Sequence, residues 1–571
     1  MKTLLLYALM SVFVLGANAV PPLKGRVTDS DGAALVGATV EVKGTSIATK
    51  TDQEGNFSLD LAQGQTLVIS FVGYQVREVW VDNLSVPLTI QLVPNEAVLD
   101  EVVVVSYGTQ KKKEITGAIS DIDAGKLKDQ PVGQLLNKLQ GRLAGVQINQ
   151  TSGTPGQGMS IKIRGAASIG AGNNPLYVVD GIPIVGGAFG IGNINPNEVE
   201  NISVLKDASA ASLYGSRAAN GVVLITTKKA KAGQTQVTLS ALYGMTSVPQ
   251  KGRPELMNAE EWVQFQKEIY EDKAKYEGYT GGIPEIYQNP SAYRNNSTDW
   301  YDALLRVGKS SDYSLSVTTS KDKFSSALTA GYFKQDGVLL NTDYSRFSLR
   351  SNNEYQINDH IKLGTNLSTT RQSFQSFNTD GGYQILFSAF VTPPIFSPFE
   401  TDENGNIKTS FSAPGILTQP NWYRTLTERI ERTHTNGLLT NSFLEVNFLT
   451  DFTFKSTFGV ELEDWRNRSW RPSTASGDVF TPPPTPGAAG YNTTSDISWV
   501  WENNVTYQKT FAEDHQVEVL VGYSAQRFRR EYNQAGGSNF SDDLIPWISG
   551  GPPQFRTANS GTTQWSLLGE Y

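Results

Sequence analysis

Cysteine and histidine, two residue types that often act as nucleophiles, bases or metal ligands, are absent or scarce in this sequence. Among the 571 residues there is no cysteine, and the three histidines, His360, His434 and His515, are far apart. Their spacing fits neither a metal motif such as H-x-x-x-H nor a catalytic triad. The absence of cysteine excludes thiolate nucleophiles and Cys-ligated metals. We therefore predict no catalytic residue, no metal site and no cofactor, and we expect the protein not to be an enzyme.

The composition also disfavours nucleotides and nucleic acids as ligands. The chain contains 53 glycines, but they form neither G-x-x-x-x-G-K-[ST] nor a strand-leading G-x-G-x-x-G with a downstream acid. The net charge of -8 and the pI near 5.3 make nucleic-acid binding improbable. The glycine and aromatic content instead favours a protein built mostly of β-strands.

The first residues have the composition of a secretory signal. Lys2 precedes an apolar run from Leu4 to Leu15, and Ala17-Asn18-Ala19 resembles a cleavage site, so we predict a signal peptide at residues 1–19. No later run approaches the roughly 20 apolar residues of a membrane-spanning helix. If the protein crosses a membrane, we expect it to do so with strands.

Residues 20–95 read as a small independent β-domain. Short alternating runs end in turn signals such as Asp31-Gly32 and Lys43-Gly44, which predicts a β-sandwich of about seven strands. The stretches GATVEVKGT, TDQEGNFSL and SFVGY resemble the carboxypeptidase regulatory-like domain. Because no zinc-ligand set accompanies them, the segment is expected to be a folded spacer rather than an enzyme.

Residues 111–230 have a mixed α/β pattern. PVGQLLNKLQGRLAGVQI predicts an amphipathic helix from Val132 to Leu139 followed by a strand, and a second helix is expected around Pro196 to Leu205. Glycines in the stretches SIKIRGAAS, PLYVVDGIPI and ASLYGSRAANGVVLITTKK are expected to close short strands.

From residue 231 to the end, apolar and polar residues alternate with a period of two. In DFTFKSTFGVEL, phenylalanines alternate with Thr, Lys and Gly. A water-soluble sandwich would alternate in the same way with its apolar face inward, so single strands do not decide between the two folds. We predict ten strands near residues 235–246, 311–319, 324–335, 344–356, 360–371, 436–449, 451–463, 496–508, 516–528 and 562–571.

The lengths of the connections favour a membrane barrel. Short turns follow the second, fourth, sixth and eighth strands, whereas links of roughly thirty residues or more follow the first, fifth, seventh and ninth. This parity is typical of outer-membrane barrels. Ten strands would enclose a lumen little wider than their side chains require, whereas a lumen that holds an inner domain needs about 22 strands. We therefore expect the first part of an incomplete barrel. Its inward-facing Arg346, Arg350, Lys362 and Lys455 should line the lumen or contact the inner domain.

The whole chain resembles SusC/RagA-type TonB-dependent outer-membrane transporters. The resemblance is carried by LDEVVVVSYGTQKKKEITGAIS, PLYVVDGIPI and VLKDASAASLYGSRAANGVVLITTKK, which follow a signal peptide and a regulatory-like domain. It implies a mostly β protein of the Bacteroidetes-type outer membrane, with a TonB-box linker at residues 96–110, a plug at 111–230 and a partial barrel at 231–571.

The resemblance also implies partners and site residues. TonB, with its inner-membrane energising complex, would bind the linker by strand addition, and a SusD-like lipoprotein would cover the outer rim. The expected TonB-binding residues are Leu99, Asp100, Glu101, Val102, Val103, Val104, Val105, Ser106, Tyr107 and Gly108. The plug motif comprises Arg164, Gly165, Asp180, Gly181, Lys206, Asp207, Tyr214, Gly215, Arg217, Asn220 and Gly221.

The expected function is import of a nutrient oligomer, either an oligosaccharide or an oligopeptide. Aromatic residues in the long connections could stack on such cargo, or could pack the loops instead; these are Trp422, Tyr423, Trp465, Trp470 and Trp547. The alternatives are a siderophore or cobalamin receptor on the same scaffold, a surface adhesin, or a glycan-processing enzyme. The enzyme would need two carboxylates in one cleft, which the sequence does not place.

Overall fold

A computed structural model describes most of the chain, and most of its regular structure is β-strand. The described residues are 22–29, 32–45, 47–61, 63–71, 74–84, 86–93, 102–105, 108–111, 119–123, 132–150, 152–165, 173–185, 192, 194–207, 212–231, 233, 235–377, 385–478, 480–511 and 515–571. The predicted signal peptide at residues 1–19 lies outside them. Among the described residues, no helix is both long and apolar enough to cross a lipid bilayer.

The N-terminal compact unit contains a seven-stranded sandwich. Its strands are β1 (Leu23–Thr28), β2 (Thr39–Val42), β3 (Ala48–Lys50), β4 (Asn56–Leu59), β5 (Gln65–Ser70), β6 (Arg77–Val81) and β7 (Leu88–Gln91). They form two sheets, ordered β4-β1-β7 and β3-β2-β5-β6. Leu23, Val40 and Ile69 are buried between them. The alternating runs therefore predicted the strand number of this sandwich correctly.

Two short strands form a separate two-stranded sheet. They are β8 (Val102–Val105) and β9 (Gly108–Lys111). The valine run of the linker is thus extended backbone. A two-stranded hairpin is marginally stable by itself in water.

The second compact unit begins with an α/β domain. Its elements are β10 (Ile119–Asp123), α1 (Leu135–Leu139), β11 (Val146–Gln150), β12 (Met159–Ile163), β13 (Leu176–Val179), β14 (Ile182–Ile184), β15 (Val199–Leu205) and β16 (Val222–Thr227). Five strands form a mixed sheet in the order β10-β15-β16-β13-β14, and β11 pairs with β12.

The prediction of a helix around Pro196 to Leu205 was wrong. Only Pro196–Glu198 forms a single 3-10 turn, and Val199–Leu205 is β15. This strand lies between β10 and β16 and is covered on both faces, so its apolar residues form a run without clear alternation. The helix predicted to begin at Val132 begins at Leu135.

Ten strands of the second unit form one antiparallel sheet, here called the large sheet. They are β17 (Thr235–Thr246), β18 (Gly308–Lys321), β19 (Phe324–Asp336), β20 (Asp343–Gln356), β21 (Ile361–Gln375), β24 (Ile430–Phe448), β25 (Phe452–Arg471), β26 (Gly487–Phe511), β27 (His515–Phe540) and β28 (Arg556–Glu570). Each pairs with the next along the chain, and the sheet is open, with β17 and β28 as its edges. The expectation of ten strands in an unclosed wall is confirmed.

The connections alternate between the two rims of the large sheet. Tight turns at 322–323, 357–360 and 449–451 share one rim with the link from β26 to β27, and the connections 247–307, 376–429, 472–486 and 541–555 share the other. The last two connections are shorter than predicted, because β25 to β28 extend further than the alternating pattern, β26 to 25 residues and β27 to 26.

The long connections contain folded structure of their own. Their elements are α2 (Ala259–Tyr276), α3 (Glu285–Gln288), α4 (Trp300–Leu304), α5 (Ile385–Val391), β22 (Ser410–Phe411), β23 (Gln419–Pro420) and α6 (Trp422–Glu428). Asn258 and Glu261 form a capping box that begins α2. Side chains from residues 247–307 and 376–429 share one apolar core, which includes Trp300 and Phe411.

Candidate functional site

The two faces of the large sheet have opposite polarity, and the apolar face is the exposed one. On β20, Phe347 is 49% exposed whereas Ser348 is fully buried; on β25, Phe458 is 48% exposed whereas Glu461 is 3% exposed. A sheet in a water-soluble protein has the reverse arrangement, because burial of apolar area drives folding in water. The exposed apolar face includes Val237, Leu239, Leu315, Leu328, Phe347, Leu363, Leu367, Phe458, Leu462, Ile497, Trp501 and Val505. The polar face packs against the α/β domain.

A buried arginine of the large sheet joins the α/β domain through two carboxylates. Arg350 on β20 donates from Nη1 to Asp180 Oδ2 at 3.1 Å and from Nε to Glu198 Oε2 at 2.9 Å. The three side chains are 5%, 6% and 1% exposed. A buried charge without a partner costs several kcal/mol. Loss of the Arg350 side chain would therefore leave both carboxylates in that state.

Asp180 forms the tip of the tight turn between β13 and β14. Its φ is 47° and that of Gly181 is 88°, as a type I′ hairpin turn requires. Asp180 Oδ1 accepts from the Thr227 amide at 2.9 Å, and Oδ2 accepts from Thr227 Oγ1 at 2.8 Å. The Asp-Gly pair of the sequence thus places a carboxylate where it ties the turn to β16 and also reaches Arg350.

Other inward-facing residues of β20 make further polar contacts with the α/β domain. Arg346 Nη1 donates to the Gly133 carbonyl at 2.6 Å, and Asn352 Nδ2 donates to the Lys228 carbonyl at 3.0 Å. The expectation that Arg346 and Arg350 face inward and contact this domain is confirmed.

Two residues that contact β20, Glu198 and Asn195, were not predicted from the sequence. Asn195 Nδ2 donates to Ser348 Oγ at 3.0 Å. The Asn195-Pro196 pair signals a turn, but its sequence gives no indication that the turn meets β20.

Arg164, Gly165, Lys206 and Asp207 lie where strands of the α/β domain end. Arg164 has a φ of 62°, and its amide donates to the Gly145 carbonyl at 3.0 Å. Lys206 Nζ donates to a serine hydroxyl on β10. Desolvation, together with the charge of Arg164, lowers the pKa of Lys206. Asp207 follows and is half-buried.

Tyr214 and Gly215 lie in a 3-10 segment, Ser212–Ala218. Tyr214 is buried in an apolar cluster with Val178 and Leu224. Gly215 has φ 65° and ψ -155°, a conformation that is essentially restricted to glycine. Both residues therefore fix the path of the chain into β16.

Arg217 and Asn220 make polar contacts on either side of this segment. Arg217 Nη1 donates to Gln526 Oε1 on β27 of the large sheet. Asn220 Nδ2 donates to the Asn174 carbonyl at 3.2 Å, within the α/β domain. Some residues of the predicted motif therefore contact the large sheet, and others make contacts only inside the α/β domain.

Gly221 is the motif glycine with the least room for a side chain. Its φ is 86°, and an added Cβ would lie 2.7 Å from Ile163 Cδ1 and 3.0 Å from the Leu205 carbonyl oxygen. We expect Gly221→Ala to destabilise the α/β domain by about 1–3 kcal/mol. Hydrogen exchange of peptides from this domain, measured in the full-length protein, should become correspondingly faster. Gly165→Ala is the matched control, since no described atom lies within 4 Å of its added Cβ; equal effects would contradict the steric argument.

A second set of ionic contacts lies near the rim of tight turns. Lys229 Nζ is 2.7 Å from Glu354 Oε1, and Lys362 Nζ is 3.0 Å from Glu354 Oε2. Lys455 also faces inward, and its Nζ is 3.8 Å from Glu445 Oε2. These residues line a cavity of about 460 Å³ between the α/β domain and the large sheet. The Lys229 side chain is half-exposed, so this contact is weaker than the buried one at Arg350.

The structure does not bring the five predicted cargo aromatics together. Trp422 begins α6 and is buried in the core of the long connections, and Tyr423 lies at its edge, with its ring 5.0 Å from that of Phe399. Trp470 is buried against Phe540, and the centroids of the two rings are 5.0 Å apart.

Trp465 and Trp547 are on opposite faces of the large sheet. Trp465 pairs with Thr435 and Thr494 on the inward face and is partly exposed. Trp547 is half-exposed, and its ring centroid is 3.8 Å from the guanidinium carbon of Arg468.

The predicted TonB-binding segment is described only in part. Val102–Val105 form β8, and Gly108 begins β9. Leu99, Asp100, Glu101, Ser106 and Tyr107 lie outside the described residues.

Comparison with known proteins assigns this architecture. Residues 23–104 match the CarboxypepD_reg-like domain, and residues 111–222 match the TonB-dependent Receptor Plug Domain. TonB-dependent receptor P26 of Formosa agariphila is 30% identical over 96% of this chain and 52% of its own length. TonB-dependent receptor SusC of Bacteroides thetaiotaomicron is 29% identical over 90% of this chain and 51% of its own length. Over most of its own length, the chain is therefore similar to SusC-like TonB-dependent receptors.

A solved structure is also similar to this chain. The RagAB peptide importer in its open-open state superposes with a TM-score of 0.68 at 27% identity, covering 82% of this chain and 54% of that one. The chain spans about half the length of the curated SusC-like relatives it matches. The α/β domain matches the TonB-dependent Receptor Plug Domain, and it is called the plug from here on.

Proposed function

We propose that this chain is the plug-bearing part of a transporter that imports a nutrient oligomer across the outer membrane of a Bacteroidetes-like bacterium. The observation that carries the proposal is the polarity of the large sheet, apolar outside and polar against the plug. This is the arrangement of a barrel wall with hydrocarbon on one side and a stoppered polar lumen on the other. The proposed domains are those expected from the sequence, 20–95, 96–110, 111–230 and 231–571.

The proposed energy source is TonB, bound through residues 99–108. A strand of β-branched residues can extend the edge of a partner's sheet through main-chain hydrogen bonds. A SusD-like lipoprotein is the proposed partner at the rim of long connections, by analogy with the two-component RagAB importer. The motif residues Asp180 and Arg217 are proposed to hold the plug in place until TonB acts, since both contact the large sheet.

The proposed cargo is an oligopeptide or an oligosaccharide, and the peptide importer RagAB favours the former. Trp465 is the aromatic residue best placed to contact it, because it faces the lumen on the long-connection side of Glu461. Trp422, Tyr423, Trp470 and Trp547 remain weaker candidates for the same role. Buried Trp422 has little surface available for stacking.

Cargo uptake by cells that produce the full-length receptor tests both the function and the role of Trp465. We expect energy-dependent accumulation of labelled oligomers and about 2- to 12-fold weaker cargo binding by Trp465→Ala, from the loss of one stacking contact. Trp501→Ala is the matched control. Trp501 lies on the outward face of the neighbouring strand and is half-exposed, so its removal should not change cargo binding.

Two other outcomes would replace the proposed function, and a third would remove only the role of Trp465. Cargo binding that is never followed by accumulation indicates an adhesin. Growth dependence on the receptor only under iron or cobalamin limitation indicates a siderophore or cobalamin receptor. Equal loss of binding in Trp465→Ala and Trp501→Ala would remove the assignment of Trp465.

A further inference from the structure

Basic side chains cluster on the outward face of the large sheet, near the rim of long connections. Arg432 and His434 on β24 lie opposite Arg468 and Arg466 on β25. These four residues, here called the outer basic cluster, share the face of exposed Leu462, because residues two apart along a strand point to the same side. The cluster therefore faces away from the plug and the lumen.

The height of the cluster can be estimated along β25. The outward-facing residues from Phe452 to Leu462 are apolar except for Ser456. Ten residues at a rise of about 3.3 Å and a tilt of about 40° give a band roughly 25 Å tall, as in outer-membrane barrels. Arg466 and Arg468 lie about 10–15 Å beyond it by the same geometry, and arginine side chains can extend back toward the interface. This is the level of lipid headgroups rather than of hydrocarbon.

The cluster surrounds a cavity of about 580 Å³, which Arg429 and Trp547 also line. The Trp547 ring stacks on the Arg468 guanidinium at 3.8 Å. Arg432 is held by a bidentate pair with Asp343, with N–O distances of 2.6 and 2.9 Å. Such contacts fix the planes of the guanidinium groups before a ligand binds.

The positive charge in the cavity is only partly neutralised by the protein. Arg466 is paired with Asp464 at 2.6 Å. Arg468 donates to the Pro546 carbonyl at 3.1 Å and Arg429 to the Ser476 carbonyl at 3.5 Å, and among the described residues neither forms an ion pair with a carboxylate. Their Nε atoms are buried and have no hydrogen-bond partner in the described part of the chain. An anion is the chemical complement of this site.

We propose that the outer basic cluster binds the phosphorylated headgroup of a glycolipid in the outer leaflet. This inference rests on the proposed outer-membrane location. Guanidinium groups pair with phosphate bidentately, and an aromatic ring beside them suits the interface between sugar and acyl chains. Continuity with the apolar band favours a lipid over a soluble anion. Imported cargo would contact the opposite face of the sheet.

Lipid retention by the full-length receptor tests the site. The receptor is placed in phosphatidylcholine nanodiscs containing lipid A, or lipid A stripped of its phosphates, and the retained lipid is measured by native mass spectrometry. We expect the double variant R466Q/R468Q to retain lipid A at least about 30-fold less strongly, because each arginine loses a charge-assisted hydrogen bond to phosphate. The stripped lipid should not be retained. Arg468→Lys keeps the charge and should retain more lipid A than Arg468→Gln.

The matched control is R527Q/R529Q. Arg527 and Arg529 are exposed on the outward face of β27, outside the cavity. They cannot pair with a phosphate held there, so the loss of their solvent-exposed charges should reduce retention by no more than about threefold. Equal losses in both double variants would show general surface charge and overturn the site. Displacement of lipid A by inorganic phosphate, or capture of an acidic protein in place of lipid, would also overturn it. Uptake by cells that produce the unaltered receptor is measured separately: an unaltered receptor that takes up cargo but retains no lipid A counts against this site alone, and one that takes up no cargo counts against the proposed function.

Discussion

Proline at Val103 should abolish uptake by the full-length receptor and leave cargo binding unchanged. Val103 lies within β8, the valine strand that is proposed to add to a sheet edge of TonB. Proline has no amide hydrogen, so it removes a ladder hydrogen bond and leaves the partner's carbonyl without a donor, which costs about 1–3 kcal/mol and corresponds to a loss of up to roughly 100-fold in productive engagement. Accumulation of labelled cargo in cells and equilibrium binding to the purified receptor are measured in parallel.

Val103→Thr is the matched control for this experiment. Threonine keeps the β-branched shape and the amide hydrogen, so main-chain pairing survives and uptake should remain close to that of the unaltered receptor. If both variants transported equally well, strand addition through this segment would be wrong. If Val103→Pro also lost cargo binding, β8 would be a structural part of the receptor rather than its connection to the energy source.

The sequence predicted the large sheet well because one physical rule governs it. Alternation of apolar and polar residues is continuous wherever hydrocarbon is on one side and a polar lumen on the other, and all ten strands were found from it. The prediction failed where that rule stops applying. The outer ends of β25 to β28 rise beyond the apolar band, so outward residues such as Arg466 and Arg468 are polar and the alternation disappears.

The helices of the long connections were also missed, although one carried a readable signal. Asn258 and Glu261 have the spacing of a capping box before an amphipathic segment. The partners of Arg350 could not have been found in the same way. Asp180 and Glu198 are distant from it in sequence, and only the folded plug brings both carboxylates to one strand of the sheet.

Replacement of Arg350 by methionine should loosen the plug more than any other single change at its interface with the sheet. The substitution leaves Asp180 and Glu198 buried without their cation, and removal of one member of a buried ion pair costs about 3–5 kcal/mol. We expect faster hydrogen exchange in plug peptides and a rise in passive permeability of the outer membrane, measured as entry of a small chromogenic substrate. The ratio of energy-dependent uptake to passive entry should therefore fall.

Two further variants separate the buried charge from a general loss of contact. Lys229→Met removes a half-exposed ion pair with Glu354 at the same interface and should cost no more than about 1 kcal/mol. Adding Asp180→Asn and Glu198→Gln to Arg350→Met removes the uncompensated charges and should restore part of the lost protection. Exchange rates that were equal in Arg350→Met and Lys229→Met would show that the buried group does not hold the plug. A plug that TonB is proposed to move needs a contact strong enough to close the lumen at rest. Arg350 is the position where the loss of one side chain leaves two buried carboxylates without their cation.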